Sequence, residues 1–288
     1  MTRPHRADSA AGSAWVLLCV VWALAAFGCR GQPPDPTGLT IAIDSGPASL
    51  DPRIGSDEGS RRFNDLVYNA LFRTGDDARP VPDLAREASW TDPRTLVVTL
   101  RDGVLFHDGS PLQAADVVEA YRSILERRVI SFRRADLEVL ESVDSPDART
   151  VRFHLARPFA PFVANLTVPI ARDRGESNGT LGPLGTGPFE LTRYRKDEDL
   201  LLRRFERYFE GPSALTSVRL RIIPAETARL LELLTGGVDL VVNDLSPDQL
   251  ERVRREPGYR VLSRPGRNAV YMAFNLDDPV LRDRRVRQ

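Results

Sequence analysis

Beyond Cys29 the sequence contains no cysteine, and the only other one, Cys19, lies in an apolar run near the N-terminus. The rest of the chain therefore has no internal disulfide, and its stability depends on its hydrophobic core. Net charge is also missing, because 40 lysines and arginines balance 40 aspartates and glutamates. The basic surface that nucleic-acid binding requires is absent, which argues against that class of function.

Nucleotide-binding motifs are missing as well. No GxxxxGK[ST] sequence occurs. The glycines of GPLGTG, residues 182–187, are spaced wrongly for a dinucleotide fingerprint, and a predicted strand follows them where the fingerprint requires a helix. The sequence therefore predicts no nucleotide and no other cofactor.

Histidine is scarce, with three in the chain, yet His107 stands beside Asp108. Asp108 and Gly109 follow strand-like residues and form a dipeptide that is typical of tight turns. A metal site would have only His107 and His154 to draw on, with carboxylates for its other ligands. A nucleophilic site would need a serine or cysteine from elsewhere in the chain. We interpret His107 and Asp108 as scaffold and predict no catalytic residue and no metal site.

The N-terminus has the features of an export signal. Basic residues precede an apolar run at residues 14–26, which is too short to cross a bilayer comfortably, since about 20 apolar residues are needed. Residues 1–29 are therefore predicted to be a signal peptide of the lipoprotein type, and a short membrane anchor is the alternative. The Pro- and Gly-rich residues 30–38 predict a flexible tether.

Cys29, preceded by Gly28, resembles the lipobox cysteine of bacterial lipoproteins, which is diacylated and becomes the new N-terminus. Ala26 and Phe27 depart from the usual lipobox residues. Cleavage after Ala23-Leu24-Ala25 is the alternative, and it would take this role from Cys29. We predict lipidation at Cys29 and an exported protein, periplasmic or in the cell envelope.

The mature sequence mixes strand and helix patterns. Alternating or β-branched runs predict strands at residues 39–44, 95–100, 150–158, 217–224, 238–244, 259–265 and 269–277, and a strand pair at 184–194 and 199–209. Helical spacing of apolar residues predicts helices at 62–72, 114–125, 225–237 and 247–256. A strict β-α-β alternation is absent, which favours α/β lobes built on mixed sheets.

An ordered series of stretches resembles one protein family. The longest is TLVVTLRDGVLFHDGSPLQAADVVEAYRSIL; others are GPASLDPRIG, NDLVYNALFR, LGTGPFELTRY and YMAFNLDDPVLRDRRVRQ. Together they are similar to the dipeptide/oligopeptide/nickel family of extracellular solute-binding proteins (family 5), which feed ABC importers. The resemblance covers Leu39 to Gln288.

This resemblance implies an α/β fold of the periplasmic binding protein type (type II, cluster C). It implies a lobe I sheet domain from residues 39–68 and 185–274, an inserted α/β subdomain at residues 69–184, and the start of a hinge at residues 275–288. Members of the family continue into a second lobe. The resemblance therefore also implies that the chain is C-terminally truncated and that the second lobe is absent.

The resemblance implies a monomeric binding protein, not an enzyme, that captures small peptides or related solutes outside the inner membrane. It would deliver them to an inner-membrane permease with ATPase subunits. In the family, the loop shortly after SLDP meets the ligand; here that loop is Ser56, Asp57, Glu58 and Gly59. The alternatives are a plain surface loop, a truncated remnant that binds nothing, and an exported hydrolase using carboxylates such as Asp57 and Glu58.

Overall fold

The computed structural model describes residues 37–174, 182–242, 245–263 and 272–288. They belong to two compact units that divide between residues 244 and 245. Within these ranges no helix is both long and apolar enough to span a membrane. The apolar run and Cys29 lie outside the described residues, so the signal peptide and the lipidation stay predictions.

The helices and strands of the described residues are named here in chain order. The strands are β1 (Gly38–Ile43), β2 (Phe72–Thr74), β3 (Pro80–Pro82), β4 (Ala85–Asp92), β5 (Thr95–Leu100), β6 (Leu140–Asp144), β7 (Thr150–Leu155), β8 (Phe189–Arg195), β9 (Asp199–Arg204), β10 (Ser217–Ile222) and β11 (Leu240–Val241). The α-helices are α1 (Glu58–Val67), α2 (Ala114–Leu125), α3 (Glu226–Leu234), α4 (Pro247–Arg255) and α5 (Arg284–Arg287). Two 3-10 helices, η1 (Phe132–Leu137) and η2 (Ala160–Asn165), complete the set.

A five-stranded sheet of the first unit has the order β11-β1-β10-β9-β8. In it β1 runs parallel to β10 and β11, whereas β9 is antiparallel to both of its neighbours. Helix α1 packs against β8, and α3 contacts β11. The sheet is mixed, as the sequence predicted.

A second sheet, with four antiparallel strands, has the order β4-β5-β7-β6. Alternate residues of β5 and β7 are buried on one face of this sheet. Helix α2 packs on the sheet and contacts β6 and β7. There the ring of Tyr121 meets that of Phe153 edge to face at 5.0 Å between centroids. Helix α2 begins where predicted because the Asp116 carboxylate accepts the Gln113 backbone N–H at 2.8 Å.

Two clusters of buried apolar side chains hold the first unit together. One lies between residues 71 and 184 and includes the inner face of the four-stranded sheet. The other joins β1, α1 and β8 to β10, with Ala171 as a contribution from the intervening segment. This arrangement is compatible with a subdomain inserted at residues 69–184, whose boundaries stay a prediction.

Helix α1 lies four to five residues earlier than predicted, at Glu58–Val67 rather than 62–72. The helix starts earlier in the chain than predicted because the Asp57 side chain caps it, accepting the Ser60 N–H at 2.8 Å. The helix also ends earlier than predicted because the residues after it form hydrogen bonds with other segments. The carbonyls of Asn69 and Ala70 accept the backbone N–H groups of Ile170 and Leu84.

The second unit contains α4 and α5. Helix α4 begins at Pro247, as predicted. No strand occurs at residues 259–263 or 272–277, so the two strands predicted there are wrong for the described residues. Their apolar residues, such as Leu262 and Met272, are exposed. No buried face therefore fixes a strand register in these segments.

A buried polar network connects segments of the first unit that are distant in sequence. The Asn69 amide donates to the Asp83 carboxylate at 3.0 Å and accepts the Thr186 hydroxyl at 3.1 Å. The Asp83 carboxylate also accepts the Ala70 N–H at 3.1 Å. Burial raises the pKa of Asp83 even though these hydrogen bonds lower it. Each buried polar group of this network therefore depends on the others for its hydrogen bonds.

Replacing Asn69 with leucine should lower the free energy of unfolding by about 2 kcal/mol, because it leaves the Asp83 carboxylate and the Thr186 hydroxyl without their amide partner. Urea denaturation followed by circular dichroism measures the effect. Thr186→Val, which removes one neutral hydrogen bond, should cost about 1 kcal/mol. An equal, small cost for both variants would contradict the central position of Asn69.

Candidate functional site

The candidate site lies where the carboxyl ends of the parallel strands meet, which we call the carboxyl edge of the five-stranded sheet. Strands β1, β10 and β11 are parallel, so they end at the same edge, at Ile43, Ile222 and Val241. In open α/β sheets, ligands bind outside the carboxyl ends of parallel strands. The chain that leaves β1 crosses this edge before it enters α1. We call residues 44–58, which end with the first residue of α1, the edge loop.

Asp57, at the end of the edge loop, is occupied by a structural task. One carboxylate oxygen accepts the Ser60 N–H, and the other accepts the Ser60 hydroxyl at 2.5 Å. Burial raises the pKa of Asp57, but the Ser60 hydrogen bonds outweigh it, so the pKa lies below its usual value. The carboxylate thus stays ionised and holds the start of α1, and it is not free to act as an acid or a nucleophile.

Gly59 is buried and lets α1 approach the beginning of the edge loop. A β-carbon at this position would lie 2.7 Å from the Gly46 carbonyl oxygen and 2.9 Å from that of Ser45. Real side chains do not reach such distances to backbone atoms. Gly59 therefore sets the close packing of the helix start on the loop and offers no side chain to a solute.

Ser56 and Glu58 are the two exposed residues among the four predicted site residues; Asp57 is half-buried and Gly59 is buried. The Glu58 side chain is 49% exposed and lies 3.4 Å from the Arg62 guanidinium. Arg62 in turn donates to the Val242 carbonyl at 3.0 Å, just beyond β11. These contacts place Glu58 beside the carboxyl edge. Of the four predicted residues, Ser56 and Glu58 are therefore exposed, and Asp57 and Gly59 have structural roles.

Asp44 and Ser45 also lie exposed on the edge loop and were missed from the sequence. They follow directly after β1, and Ser45 contacts the Gly59 position through its backbone. Their place immediately after a strand was the available signal, because such residues lie at the carboxyl edge.

Hydrogen bonds and ion pairs from buried side chains fix the middle of the edge loop. Buried Arg53 donates to the Asp51 carboxylate at 2.7 Å and to Asp173 at 3.1 Å. The Tyr68 hydroxyl lies 3.0 Å from the Leu50 carbonyl and 3.1 Å from that of Pro183, and it donates its one proton to these acceptors. Such anchoring keeps exposed groups in position for binding.

Asp108 forms a turn, as predicted. One of its carboxylate oxygens accepts the backbone N–H of Ser110 at 2.9 Å and the hydroxyl of Ser110 at 2.6 Å. Gly109 takes the left-handed backbone, at φ +86°, that this turn requires. The turn that the sequence predicted at Asp108 is therefore confirmed, and the absence of a catalytic role there stays a prediction.

His107 is buried and packs between segments. Its backbone N–H donates to the Gly185 carbonyl at 3.0 Å, and its Nε2 lies 3.1 Å from the Gly187 carbonyl oxygen. The ring meets Phe205 edge to face, and Nδ1 is buried without a hydrogen-bond partner. Burial lowers the pKa of His107 to about 4. The ring is thus a neutral packing element, in agreement with the scaffold interpretation.

Among the residues that the structure describes, no group of three or more His, Cys, Asp or Glu side chains is arranged to hold a metal ion. His154, on the four-stranded sheet, pairs instead with Asp144 at 2.8 Å.

The α/β architecture, with its five-stranded and four-stranded sheets and a β2-β3 pair, and with an anchored polar loop at the carboxyl edge, defines a lobe of a periplasmic-binding-protein-like fold. The family model described as bacterial extracellular solute-binding proteins, family 5 Middle, matches residues 79–288, which is more than half of the chain. The chain belongs to this family. The family resemblance and the fold class predicted from the sequence are both confirmed.

Individual relatives agree with this assignment. Protein XP55 of Streptomyces lividans is 30% identical over 231 residues, which cover 77% of this chain and 42% of that protein. The dipeptide-binding protein of Escherichia coli (strain K12) is 28% identical over 254 residues, covering 77% and 47%. The crystal structure of the ABC transporter substrate-binding protein CtaP from Listeria monocytogenes superposes with a TM-score of 0.68 at 30% identity, covering 76% and 46%. The chain spans about half the length of these relatives.

Proposed function

We propose that this chain belongs to the solute-binding component of an ABC importer and that it binds small peptides or related solutes at the carboxyl edge of the five-stranded sheet. The observation that carries the proposal is the edge loop itself, in a chain of family 5. Asp57 and Gly59 fix its end, where Ser56 and Glu58 are exposed, and Arg62, the partner of Glu58, donates to the Val242 carbonyl just beyond β11. Backbone groups and short polar side chains of such a loop suit a peptide main chain, whose polar groups repeat independently of its sequence.

The setting of this function is proposed from the relatives and from the N-terminal sequence. Relatives in the family are named as periplasmic binding proteins. An exported chain, anchored through lipid on Cys29, would present the edge loop outside the inner membrane and pass its solute to a permease with ATPase subunits. The hydrolase alternative gains no support, because the Asp57 carboxylate is fully engaged with Ser60.

Binding is tested by equilibrium dialysis of the protein against a mixture of di-, tri- and tetrapeptides, with mass spectrometry of the retained fraction. We expect retention of a subset of the peptides without cleavage. Glu58→Gln should weaken binding about three- to tenfold, the effect of one hydrogen bond to a charged or polar group. Glu87→Gln, an exposed glutamate on β4, is the matched control and should bind as the unchanged protein does.

Three results would contradict the proposal. Retention of no peptide would favour a chain that does not bind by itself. Cleaved peptides would favour the hydrolase. An equal loss for Glu58→Gln and Glu87→Gln would place the binding site away from the edge loop.

A further inference from the structure

The segment that follows α2 and enters the first turn of η1 exposes large apolar side chains. In the sequence Arg-Arg-Val-Ile-Ser-Phe-Arg-Arg, residues 127–134, the side chain of Ile130 is 91% exposed and that of Phe132 is 51% exposed. Single exposed apolar residues are common, whereas these two lie within three residues of each other and form an exposed apolar pair. We call residues 127–134 the Arg-Phe loop.

Four arginines flank these apolar residues, and two of them make contacts with neighbouring side chains. The Arg128 guanidinium is paired with the carboxylates of Glu119 and Glu126. The Arg133 guanidinium lies over the Phe132 ring, 5.1 Å from its centroid, and donates to the Thr167 hydroxyl. Arg128 is therefore charge-paired, whereas Arg133 keeps its charge but is held against the Phe132 ring.

The other two arginines keep their positive charge available. Arg134 is exposed and donates to the carbonyls of Ile124 and Leu125 at the end of α2, with no carboxylate partner among the described residues. Arg127 is exposed, and in the described part of the chain its side chain has no ion pair and no hydrogen bond.

Arg127 also occupies a backbone position that an arginine disfavours. Its φ of +58° lies in the left-handed region, at the end of a helix where glycine or asparagine is usual. A β-carbon is unfavourable in this conformation. An arginine at this position, with its guanidinium free in solvent, is therefore hard to explain by folding alone and points to a function for its charge.

We propose that the Arg-Phe loop docks on an anionic phospholipid surface, with Ile130 and Phe132 inserted at the acyl boundary and the Arg127 and Arg134 guanidinium groups bound to lipid phosphates. Arginine flanking exposed apolar and aromatic side chains is the composition of interfacial membrane segments. Glu138 lies beside the loop on a groove of about 530 Å³. The local charge is therefore modest, and the apolar pair is expected to supply most of the binding.

The test is hydrogen–deuterium exchange of the full chain, read by mass spectrometry on peptides covering residues 126–138. This local readout separates the loop from any attachment through the N-terminal run. Vesicles of phosphatidylglycerol and phosphatidylcholine should slow exchange in this segment at a lower lipid concentration than vesicles of phosphatidylcholine alone. In a vesicle titration, Arg127→Gln should raise the lipid concentration for half-maximal protection about fivefold, the value of one arginine near an anionic surface.

The double variant Ile130→Ser with Phe132→Ser should lose the protection, with at least about a tenfold shift of the same titration. Both side chains are exposed, so its urea denaturation should match that of the unchanged protein. Leu231→Ser, at an apolar residue of α3 that is 60% exposed, is the matched control and should leave the protection unchanged. The proposal is overturned if anionic vesicles give no protection, if both lipid compositions protect equally, or if protection appears only with membrane proteins present.

Discussion

Replacing Gly185 with alanine is expected to lower the free energy of unfolding by about 4 kcal/mol or more, a loss that single substitutions reach only when they disturb buried structure. A β-carbon on residue 185 would overlap the Val67 carbonyl oxygen and lie 2.9 Å from the Tyr68 ring. Neither group can move easily. The Val67 carbonyl at the end of α1 accepts the Gly187 N–H at 2.9 Å, and the Tyr68 hydroxyl bonds to backbone carbonyls.

The measurement is the urea denaturation midpoint of Gly185→Ala, followed by circular dichroism, against Gly211→Ala as the matched control. Gly211 has a φ of +93°, but nothing lies within 4 Å of its β-carbon position. Alanine there meets only backbone strain, so about 1 kcal/mol is expected. If the two variants lost the same small amount, the close approach of residues 185–187 to α1 would be wrong.

Local pattern was sufficient where one segment carries its own signal. Strand β5 and helix α2 have the bounds that the sequence predicted, 95–100 and 114–125. Their apolar spacing is clear, and a capping interaction or a turn lies at each start. Helix α1 was predicted too late along the chain, because the cap from Asp57 competes with an apolar pattern that continues to residue 72 without a break.

Tertiary contacts could not be read in the same way. The glycines at 185 and 187 matched no nucleotide motif. Glycine is required there because the end of α1 and His107, which come from distant parts of the sequence, approach the backbone closely. The candidate site shows the same limit. The family resemblance singled out Ser56, Asp57, Glu58 and Gly59 as candidates, but only their packing shows that Asp57 and Gly59 have structural roles and that Ser56 and Glu58 are exposed.

His107 should make the protein lose stability in acid. Its ring is buried, donates through Nε2 to the Gly187 carbonyl, and has no acceptor or donor near Nδ1 among the described residues. A second proton would therefore be buried without a partner. Because burial lowers the pKa to about 4 in the folded chain, against 6.5 for an unperturbed histidine, the unfolded chain binds a proton first as the pH falls.

The His107 contribution is fully present above pH 6.5 and is lost as the pH falls from about 6.5 to about 4, for a total near 3 kcal/mol. Urea denaturation at pH 7.5 and pH 4.5 measures this change. His107→Gln keeps a donor for the Gly187 carbonyl but cannot take up the proton. Over this range its stability should therefore fall by roughly 2 to 3 kcal/mol less than that of the unchanged protein. His154→Gln, on the outer face of the four-stranded sheet, leaves His107 in place, and the fall that His107 causes should remain. If His107→Gln lost as much stability in acid as the unchanged protein, another group would be responsible, and His107 would serve only to join the Gly185–Gly187 segment to the turn at Asp108.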